Sequence, residues 1–201
     1  MTILFLDFET SGLNPYHDDI IEIAMKVYGK DIKYSALLKP KSNECISQEI
    51  TALTGISNKM LHKEGVEWQK AYQDTNEFLK EILKSSSDNK LYIVSHNGET
   101  FDFLFLKRIF NDLNQLNIKA FPIKNIVFID TLLLAKGLLK NRITYKQSAL
   151  CTSYNIITKG SHRAMNDVKS LEKLYIALCE ILNKELNKRR SVLENPQMIN
   201  D

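Results

Sequence analysis

Residues 3–15 read ILFLDFETSGLNP, and this stretch decides how the chain folds. Ile3 to Phe8 is a short apolar run that ends in turn-forming residues, which is typical of a buried strand. Asp7 and Glu9 stand two residues apart, so in an extended chain both carboxylates project to the same side. Two carboxylates this close repel, and partly buried they are costly unless protonated or bound to a cation. The alternative is that Glu9 caps the turn and Asp7 forms a salt bridge elsewhere.

Two further aspartates occupy positions that the apolar pattern assigns to the core or its edge. Asp102 shares a helix face with apolar residues, although an aspartate in the first turn also suits the helix dipole. Asp167 lies at the edge of the apolar face of the last helix. His162 precedes it where a loop meets the helix and can turn toward the same site, although a histidine there is more often a surface or core residue. Together the four carboxylates predict one site for hard divalent cations, which prefer oxygen ligands.

The rest of the pattern predicts an α/β domain. Residues 20–28 and 32–38 continue from the first strand as an antiparallel meander, and residues 91–95 and 127–129 are further buried strands. Predicted helices cover residues 47–54, 69–84, 100–116, 131–139 and 145–154, and a last one runs from about residue 163 into residue 186. We expect one domain, residues 1–187, with a mixed sheet covered by helices, followed by a basic and polar tail, residues 188–201.

Composition limits the class of protein. The 201 residues are enough for one substantial core, and 44% hydrophobic with 25% charged residues is ordinary for a globular protein. A net charge of +3 is too small to indicate a nucleic-acid partner by itself. The scattered Cys45, Cys151 and Cys179 argue against a disulfide framework and a structural zinc site. Without a signal peptide or a long apolar run, the sequence predicts a soluble intracellular protein, cytoplasmic or nuclear, with no membrane partner.

Three segments, in order, resemble the motifs of the DEDD exonucleases of the DnaQ-like superfamily, in the subgroup whose fifth catalytic residue is histidine. They are FLDFETSGL at residues 5–13, SHNGETFD at 95–102 and SHRAMND at 161–167. The segment LTGI at 53–56 is similar to the family's element between the first two motifs. The spacing in the second motif looks most like that of the three-prime repair exonucleases, because polymerase proofreading subunits usually have one residue fewer there.

The resemblance implies a ribonuclease H-like fold, in which a mixed central β-sheet with an antiparallel hairpin portion and parallel strands is flanked by α-helices. It implies that Asp7, Glu9, Asp102 and Asp167 hold two Mg²⁺ (or Mn²⁺) ions and that His162 is the general base. The expected reaction is 3′–5′ exonuclease hydrolysis that releases 5′-mononucleotides, and the similarity favours the 3′ end of single-stranded DNA as substrate. The substrate-binding residues that it implies are Thr10, Gly12, Leu13, Thr54, Asn97 and Phe101.

Other interpretations stay open. A ribonuclease T-like or oligoribonuclease-like enzyme would apply the same chemistry to RNA, and an endonuclease of ribonuclease H-like fold also uses acidic metal ligands. A catalytically silent nucleic-acid-binding or assembly module is the alternative of another class. Leu13 and Phe101 are equally well explained by packing. The basic residues in 136–146 and 184–190 are candidates for phosphate contacts further up the strand, although a solvated face explains both groups more simply. A homodimer and a polymerase or repair partner are also open.

Overall fold

A computed structural model describes residues 1–42, 44–158 and 162–194 of the chain. Ser161 of the third motif and residues 195–201 of the predicted tail lie outside the described residues. The strands are β1 (Thr2–Thr10), β2 (Ile20–Val27), β3 (Lys33–Leu37), β4 (Leu91–Ser95) and β5 (Ile126–Asp130). The helices are α1 (Gln48–Thr54), α2 (Asn58–Glu64), α3 (Trp68–Lys84), α4 (Asp102–Gln115), α5 (Thr131–Leu138), α6 (Gln147–Ser153) and α7 (Ala164–Glu194).

The strands form one mixed sheet in the order β3-β2-β1-β4-β5. The β1–β2 and β2–β3 pairs are antiparallel, whereas β1–β4 and β4–β5 are parallel. The predicted combination of a hairpin portion with parallel strands is therefore confirmed. Since β1, β4 and β5 run in the same direction, their carboxyl ends meet at one edge of the sheet. Asp7 and Glu9, Ser95, and Asp130 all lie toward that edge.

The two faces of β1 pack against different helices. Its even-numbered residues, among them Leu4 and Leu6, belong to the large core that includes residues of α3 and α4. Ile3 and Phe5 instead pack against Ala164, Val168 and Leu171 of α7. Because side chains alternate along a strand, Asp7 and Glu9 project to the α7 face. The first turn of α7 carries Asp167, so the fold itself brings the first and third motifs together.

One helix was not predicted, and the end of another was predicted wrongly. Helix α2 has no recognisable pattern in the sequence, because Leu61 is its one buried residue and a single apolar position makes no periodic pattern. The last helix runs to Glu194 instead of ending near residue 186. Residues 183–190 of this helix are exposed and, apart from Leu186, are Asn, Lys, Glu and Arg, which form no apolar stripe but include good helix formers. Among the described residues, no helix is both long enough and apolar enough to cross a membrane.

Candidate active site

Three acidic side chains converge at the carboxyl end of β1. Carboxylate oxygens of Asp7, Glu9 and Asp167 all lie within 4.8 Å of one another, and each of these residues is partly exposed. Asp7 and Glu9 are brought together by the strand repeat, and Asp167 reaches them from α7. Three oxygen donors on one point fit a hard divalent cation such as Mg²⁺ or Mn²⁺.

Asp102 lies beside this group but is held differently. It is buried; its Oδ1 accepts a hydrogen bond from the Phe8 backbone N–H at 3.1 Å, and its Oδ2 accepts one from the Ser95 hydroxyl at 2.5 Å. The predicted fourth metal ligand is therefore outside the group of three and fixes the ends of β1 and β4 to the start of α4. Each carboxylate oxygen has a second lone pair, so a role for Asp102 as ligand stays a prediction.

The carboxylates raise one another's pKa values. Burial raises the pKa of Asp7 well above its usual range, and repulsion from Asp102, Glu9 and Asp167 adds to the effect. Burial, then repulsion from Asp167 and Glu22, raises the pKa of Glu9 to about 8. Burial also raises the pKa of Asp102 to about 7, although its hydrogen bonds from Ser95 and Phe8 oppose the rise. A bound cation would remove this repulsion and favour the ionised forms.

No Lys or Arg among the described residues forms a salt bridge with the cluster. Within the described part of the chain, none of the ion pairs found involves Asp7, Glu9 or Asp167. Burial raises the pKa of Asp167 as well, even though its carboxylate accepts a backbone hydrogen bond. The predicted alternative, in which Asp7 is neutralised by a salt bridge elsewhere, is therefore not what the described residues show.

Glu22 is a functional neighbour that the sequence reasoning missed. It stands opposite Glu9 in the β1–β2 register and is buried. Its carboxylate accepts hydrogen bonds from the Arg163 guanidinium and from the Ala164 backbone N–H, both at 2.9 Å. These contacts fix the start of α7, and with it Asp167, against the sheet. The signal was present, since Glu22 is an acidic residue inside the apolar run of β2.

His162 is exposed and lies immediately before α7. Its backbone is left-handed, with φ of 66°, and its N–H donates to Oδ2 of Asp167 at 2.7 Å. This hydrogen bond holds the turn against the carboxylate cluster. The structure thus brings the predicted general base to the predicted metal ligands.

A cavity of about 730 Å³ opens in front of these groups. This volume is within the range of about 300–1,000 Å³ that is usual for small-molecule sites. Its lining residues are Asp7, Phe8, Glu9, His96, Asn97, Leu132, Lys136, Ile143, Thr144, Tyr145, Lys146, Gln147, Ser148, His162 and Asp167. Lys136 and Lys146 belong to the basic segment that is a candidate for phosphate contacts. The other residues of this loop and His96 were not predicted as site residues, because a loop that forms a wall through tertiary contacts has no periodic signal.

Of the residues predicted to bind substrate, Asn97 lines the cavity. Its backbone is left-handed, with φ of 63°, and its N–H donates to Asp130 Oδ1 at 2.9 Å. Asp130, also missed from the sequence, accepts a further hydrogen bond from the Glu99 N–H and so shapes the second-motif turn. Phe101 is half-buried and packs edge-on against Phe105, with ring centroids 5.0 Å apart.

Thr10, Gly12 and Leu13 belong to the end of β1 and the turn that follows it. The Thr10 hydroxyl donates to the Gly12 carbonyl at 2.5 Å, and Leu13 is 82% exposed. A Cβ at position 12 would come within 2.7 Å of the Asp18 carboxylate, so the turn accepts glycine alone without rearranging. Leu13 is thus presented to solvent on a turn of fixed shape.

Thr54 is the predicted substrate residue whose side chain is already engaged. It is buried; its hydroxyl donates to the Ile50 carbonyl and accepts from the Ile56 N–H. It ends α1, next to Gly55, which has a left-handed φ of 69°. The structure does not bring Thr54 into the cavity, and the segment at 53–56 serves here as a helix stop.

Acidic residues clustered at the end of the central strand of a mixed sheet define a class of hydrolases that work with metal ions on phosphodiesters. Comparison with known proteins places the chain more narrowly. Residues 4–175 match the family model RNase_T, described as Exonuclease. A DNA polymerase III PolC-type protein of Thermotoga maritima is 34% identical over 186 residues, which make up 91% of this chain and 12% of that protein.

Two further proteins complete the comparison. Exonuclease DPD1, chloroplastic/mitochondrial, of Arabidopsis thaliana is 28% identical over 185 residues, 87% of this chain and 55% of that protein. E. coli exonuclease I, solved in complex with a dT13 oligonucleotide, superposes with a TM-score of 0.72 at 17% identity. That match covers 93% of this chain and 43% of that one. At this identity the structural likeness shows the fold.

The chain belongs to the RNase_T exonuclease family and has the ribonuclease H-like fold of DnaQ-like 3′–5′ exonucleases. The family predicted from the three motifs is confirmed. The chain spans 12% of the Thermotoga maritima polymerase and 55% of the plant exonuclease. The closer similarity to three-prime repair exonucleases stays a prediction.

Proposed function

We propose that the chain is a metal-dependent 3′–5′ exonuclease that releases 5′-mononucleotides from the 3′ end of single-stranded DNA. The observation that supports this most is the group of three carboxylates within 4.8 Å, with raised pKa values and no ion pair among the described residues. A catalytically silent module has no physical need for acidic groups that repel one another.

The metal ligands in this proposal are Asp7, Glu9 and Asp167, with Asp102 as the fourth. They would hold two Mg²⁺ or Mn²⁺ ions. Such ions, when bound, lower the pKa of a water molecule and stabilise charge on the leaving 3′ oxygen. Asp102 also positions Asp7, because its hydrogen bonds hold together the ends of β1 and β4.

His162 is the general base in this proposal. It lines the cavity beside Asp167, and its exposure allows the accepted proton to pass on to solvent. Asn97 lies in the same cavity, where its amide can hold the terminal sugar. Leu13, exposed on its turn, offers an apolar surface to the terminal base, and such contacts tolerate any base.

A single strand as substrate, and a polymerase as context, are supported by the relatives. E. coli exonuclease I was solved with a dT13 oligonucleotide, and the segment that matches this chain lies within PolC-type polymerases. We therefore propose single-stranded DNA as substrate and association with a replicative polymerase as context.

The deciding experiment follows a 5′-labelled single-stranded DNA incubated with the protein and Mg²⁺ or Mn²⁺. We expect a ladder of products shortened from the 3′ end, loss of cleavage in EDTA, and resistance of 3′-blocked and circular strands. Cleavage of circular DNA would establish the endonuclease alternative, and faster degradation of a matched RNA would establish the ribonuclease alternative.

The role of His162 has its own test. His162→Ala should lower kcat by about 10²–10⁴-fold, the usual contribution of a general base. His62→Ala, which removes an exposed histidine of α2 outside the cavity, is the matched control and should cleave normally. Full activity of the His162 variant would remove this residue from the mechanism.

A further inference from the structure

The connection between α5 and α6 forms the wall of the cavity that the proposed mechanism leaves unused. Its residues 143–146, together with Lys136 of α5 and with Gln147 and Ser148 of α6, line the cavity with the carboxylate cluster. We call Lys136 and residues 143–146 the α5–α6 wall. The proposed mechanism gives these residues no role in the chemical step.

Hydrogen bonds join the wall and its flanking residues to the second motif and to α7. The two ring nitrogens of His96, in the second motif, lie 2.9 Å from the Thr131 hydroxyl and 2.9 Å from the Tyr145 carbonyl. The Gln147 side chain donates to the backbone carbonyl of Asp167 at 3.0 Å. A carbonyl only accepts, so Nε2 of His96 carries a proton and donates it to Tyr145. The wall is therefore held in a set position relative to the metal ligands.

The wall presents cations without carboxylate partners. Lys136 and Lys146 are exposed and line the cavity, and no ion pair to either is found among the described residues. The lysines of α3 differ, since Lys80 and Lys84 pair with acidic residues of their own helix. Lys136 and Lys146 thus place two ammonium groups, unpaired among the described residues, in the lining of a cavity that also holds the carboxylate cluster. They are suited to bind an anionic ligand that extends from the cluster along the cavity.

Ile143 adds an apolar group to the wall. It is completely exposed and lines the cavity between the lysines. A ligand that satisfies this set has regularly spaced negative charges and apolar surface between them. The backbone of a single-stranded nucleic acid has both, because its bases and sugars alternate with phosphates.

Resting on the proposed exonuclease function, we propose that the α5–α6 wall binds the substrate strand next to the nucleotide being removed. Lys136 and Lys146 contact phosphates, and Ile143 packs against a base or sugar. His96 and Gln147 are positioning residues, which hold the wall in place without touching the strand.

The experiment measures binding without cleavage, by fluorescence anisotropy of a labelled oligothymidylate titrated with the full chain in EDTA over a series of salt concentrations. Lys136→Gln/Lys146→Gln should bind more weakly, and the slope of log K against log salt should become shallower by about 1.4, because each phosphate contact on a single strand contributes about 0.7. Lys80→Gln/Lys84→Gln on α3 removes the same charge and should keep the wild-type slope. Ile143→Ala should weaken binding and leave the slope unchanged.

Several results would overturn the wall as a strand-binding site. These are an equal loss in both lysine pairs, no loss in the Lys136 and Lys146 variant, absence of wild-type binding at low salt, or equally tight binding of poly-glutamate, which would indicate an acidic protein partner. Thermal unfolding of each variant shows that it is folded. If the strand binds through the wall but is not cleaved in the presence of metal, the exonuclease proposal is refuted and the strand-binding proposal stands. If the strand is cleaved but the salt slope is unchanged in the Lys136 and Lys146 variant, the strand-binding proposal is refuted and the exonuclease proposal stands.

Discussion

Asp7 and Glu9 are destabilising residues in a position that ordinary packing would fill with apolar side chains. Their neighbours on the same face of β1, Ile3 and Phe5, are buried against α7. Burial first, and repulsion from neighbouring carboxylates second, raises the pKa values of Asp7 and Glu9, so the fold makes their ionised forms costly. At the scale of single residues, these carboxylates lower the free energy of unfolding until a cation is bound.

Replacing Asp7 with Asn tests this opposition directly. The variant should lose cleavage because it lacks one of the proposed metal ligands. It should also unfold at a higher temperature than the wild type in EDTA at pH 8, since one repelling charge is removed. A gain of about 1 kcal/mol corresponds to a Tm rise of about 2–4 °C in a chain of this size.

The matched control for this variant is Asp31→Asn. Asp31 is exposed and paired with Lys33 at 2.7 Å, so neutralising it should not raise the Tm. Calorimetry in EDTA gives the Tm values, and the oligonucleotide assay gives the activity. A lower Tm for Asp7→Asn than for the wild type would mean that the carboxylate stabilises the metal-free fold.

At the scale of elements, the sequence predicts the strands and helices that a repeating apolar pattern defines. It does not predict the contacts between residues that are distant in sequence. All five strands are predicted to within two residues at each end, and β1, β2 and β4 are defined by continuous apolar runs. The proximity of Asp7 to Glu9 follows from the strand repeat. The contacts of His96 with Tyr145 and of Arg163 with Glu22 join residues 49 and 141 positions apart, and no local pattern encodes them.

The His96 contact belongs to this scale, because it joins the second-motif turn to the α5–α6 wall. His96→Ala leaves the Thr131 hydroxyl and the Tyr145 carbonyl without this partner. Loss of about 1 kcal/mol of hydrogen bonding, about fivefold in an equilibrium constant, should appear in KM for a single strand. The change in kcat should be smaller, since none of the carboxylates is bonded to His96.

His96→Gln supplies the conservative comparison. Its amide nitrogen can still donate to the Tyr145 carbonyl, so we expect part of the KM increase to be recovered. Steady-state kinetics of both variants over a range of strand concentrations separate the two constants. A fall in kcat with unchanged KM, or no difference between Gln and Ala, would contradict a positioning role.

At the scale of the whole molecule, the net charge of +3 conceals an ordered distribution. Acidic groups gather on one side of the cavity, and Lys136 and Lys146 stand on the wall that shares it. Composition alone could not show this separation of charges, since it gives the net charge and not the positions of the charged residues. The three ordered motifs were what identified the family from sequence.

The same distribution predicts how stability depends on pH. Glu9 and Asp102 have folded-state pKa values of about 8 and about 7, above ordinary values of 4.5 and 3.8. The folded metal-free protein therefore binds more protons than the unfolded chain between those values. Their contribution to stability is complete below about pH 4 and is lost as the pH rises to about 8.

Mn²⁺ or Mg²⁺ should cancel this loss, because cations take the place of the protons and stabilise the folded state by binding to it. We expect the Tm difference between protein in Mn²⁺ and protein in EDTA to grow from pH 5 to about pH 8.5. Burial lowers the pKa of His96, and that effect is common to both conditions and cancels in the difference. A Tm difference that is constant with pH would contradict a carboxylate metal site.

The central position of β1 has a consequence for how the protein unfolds on heating. This strand is paired with β4 over residues 2–5 and with β2 over residues 4–10, so Asp7 and Glu9 stand on backbone that opens only when the β1–β2 pairing breaks. The arrangement of the first-motif carboxylates is thus as durable as the β1–β2 pair. We expect heat inactivation to accompany the loss of this pairing.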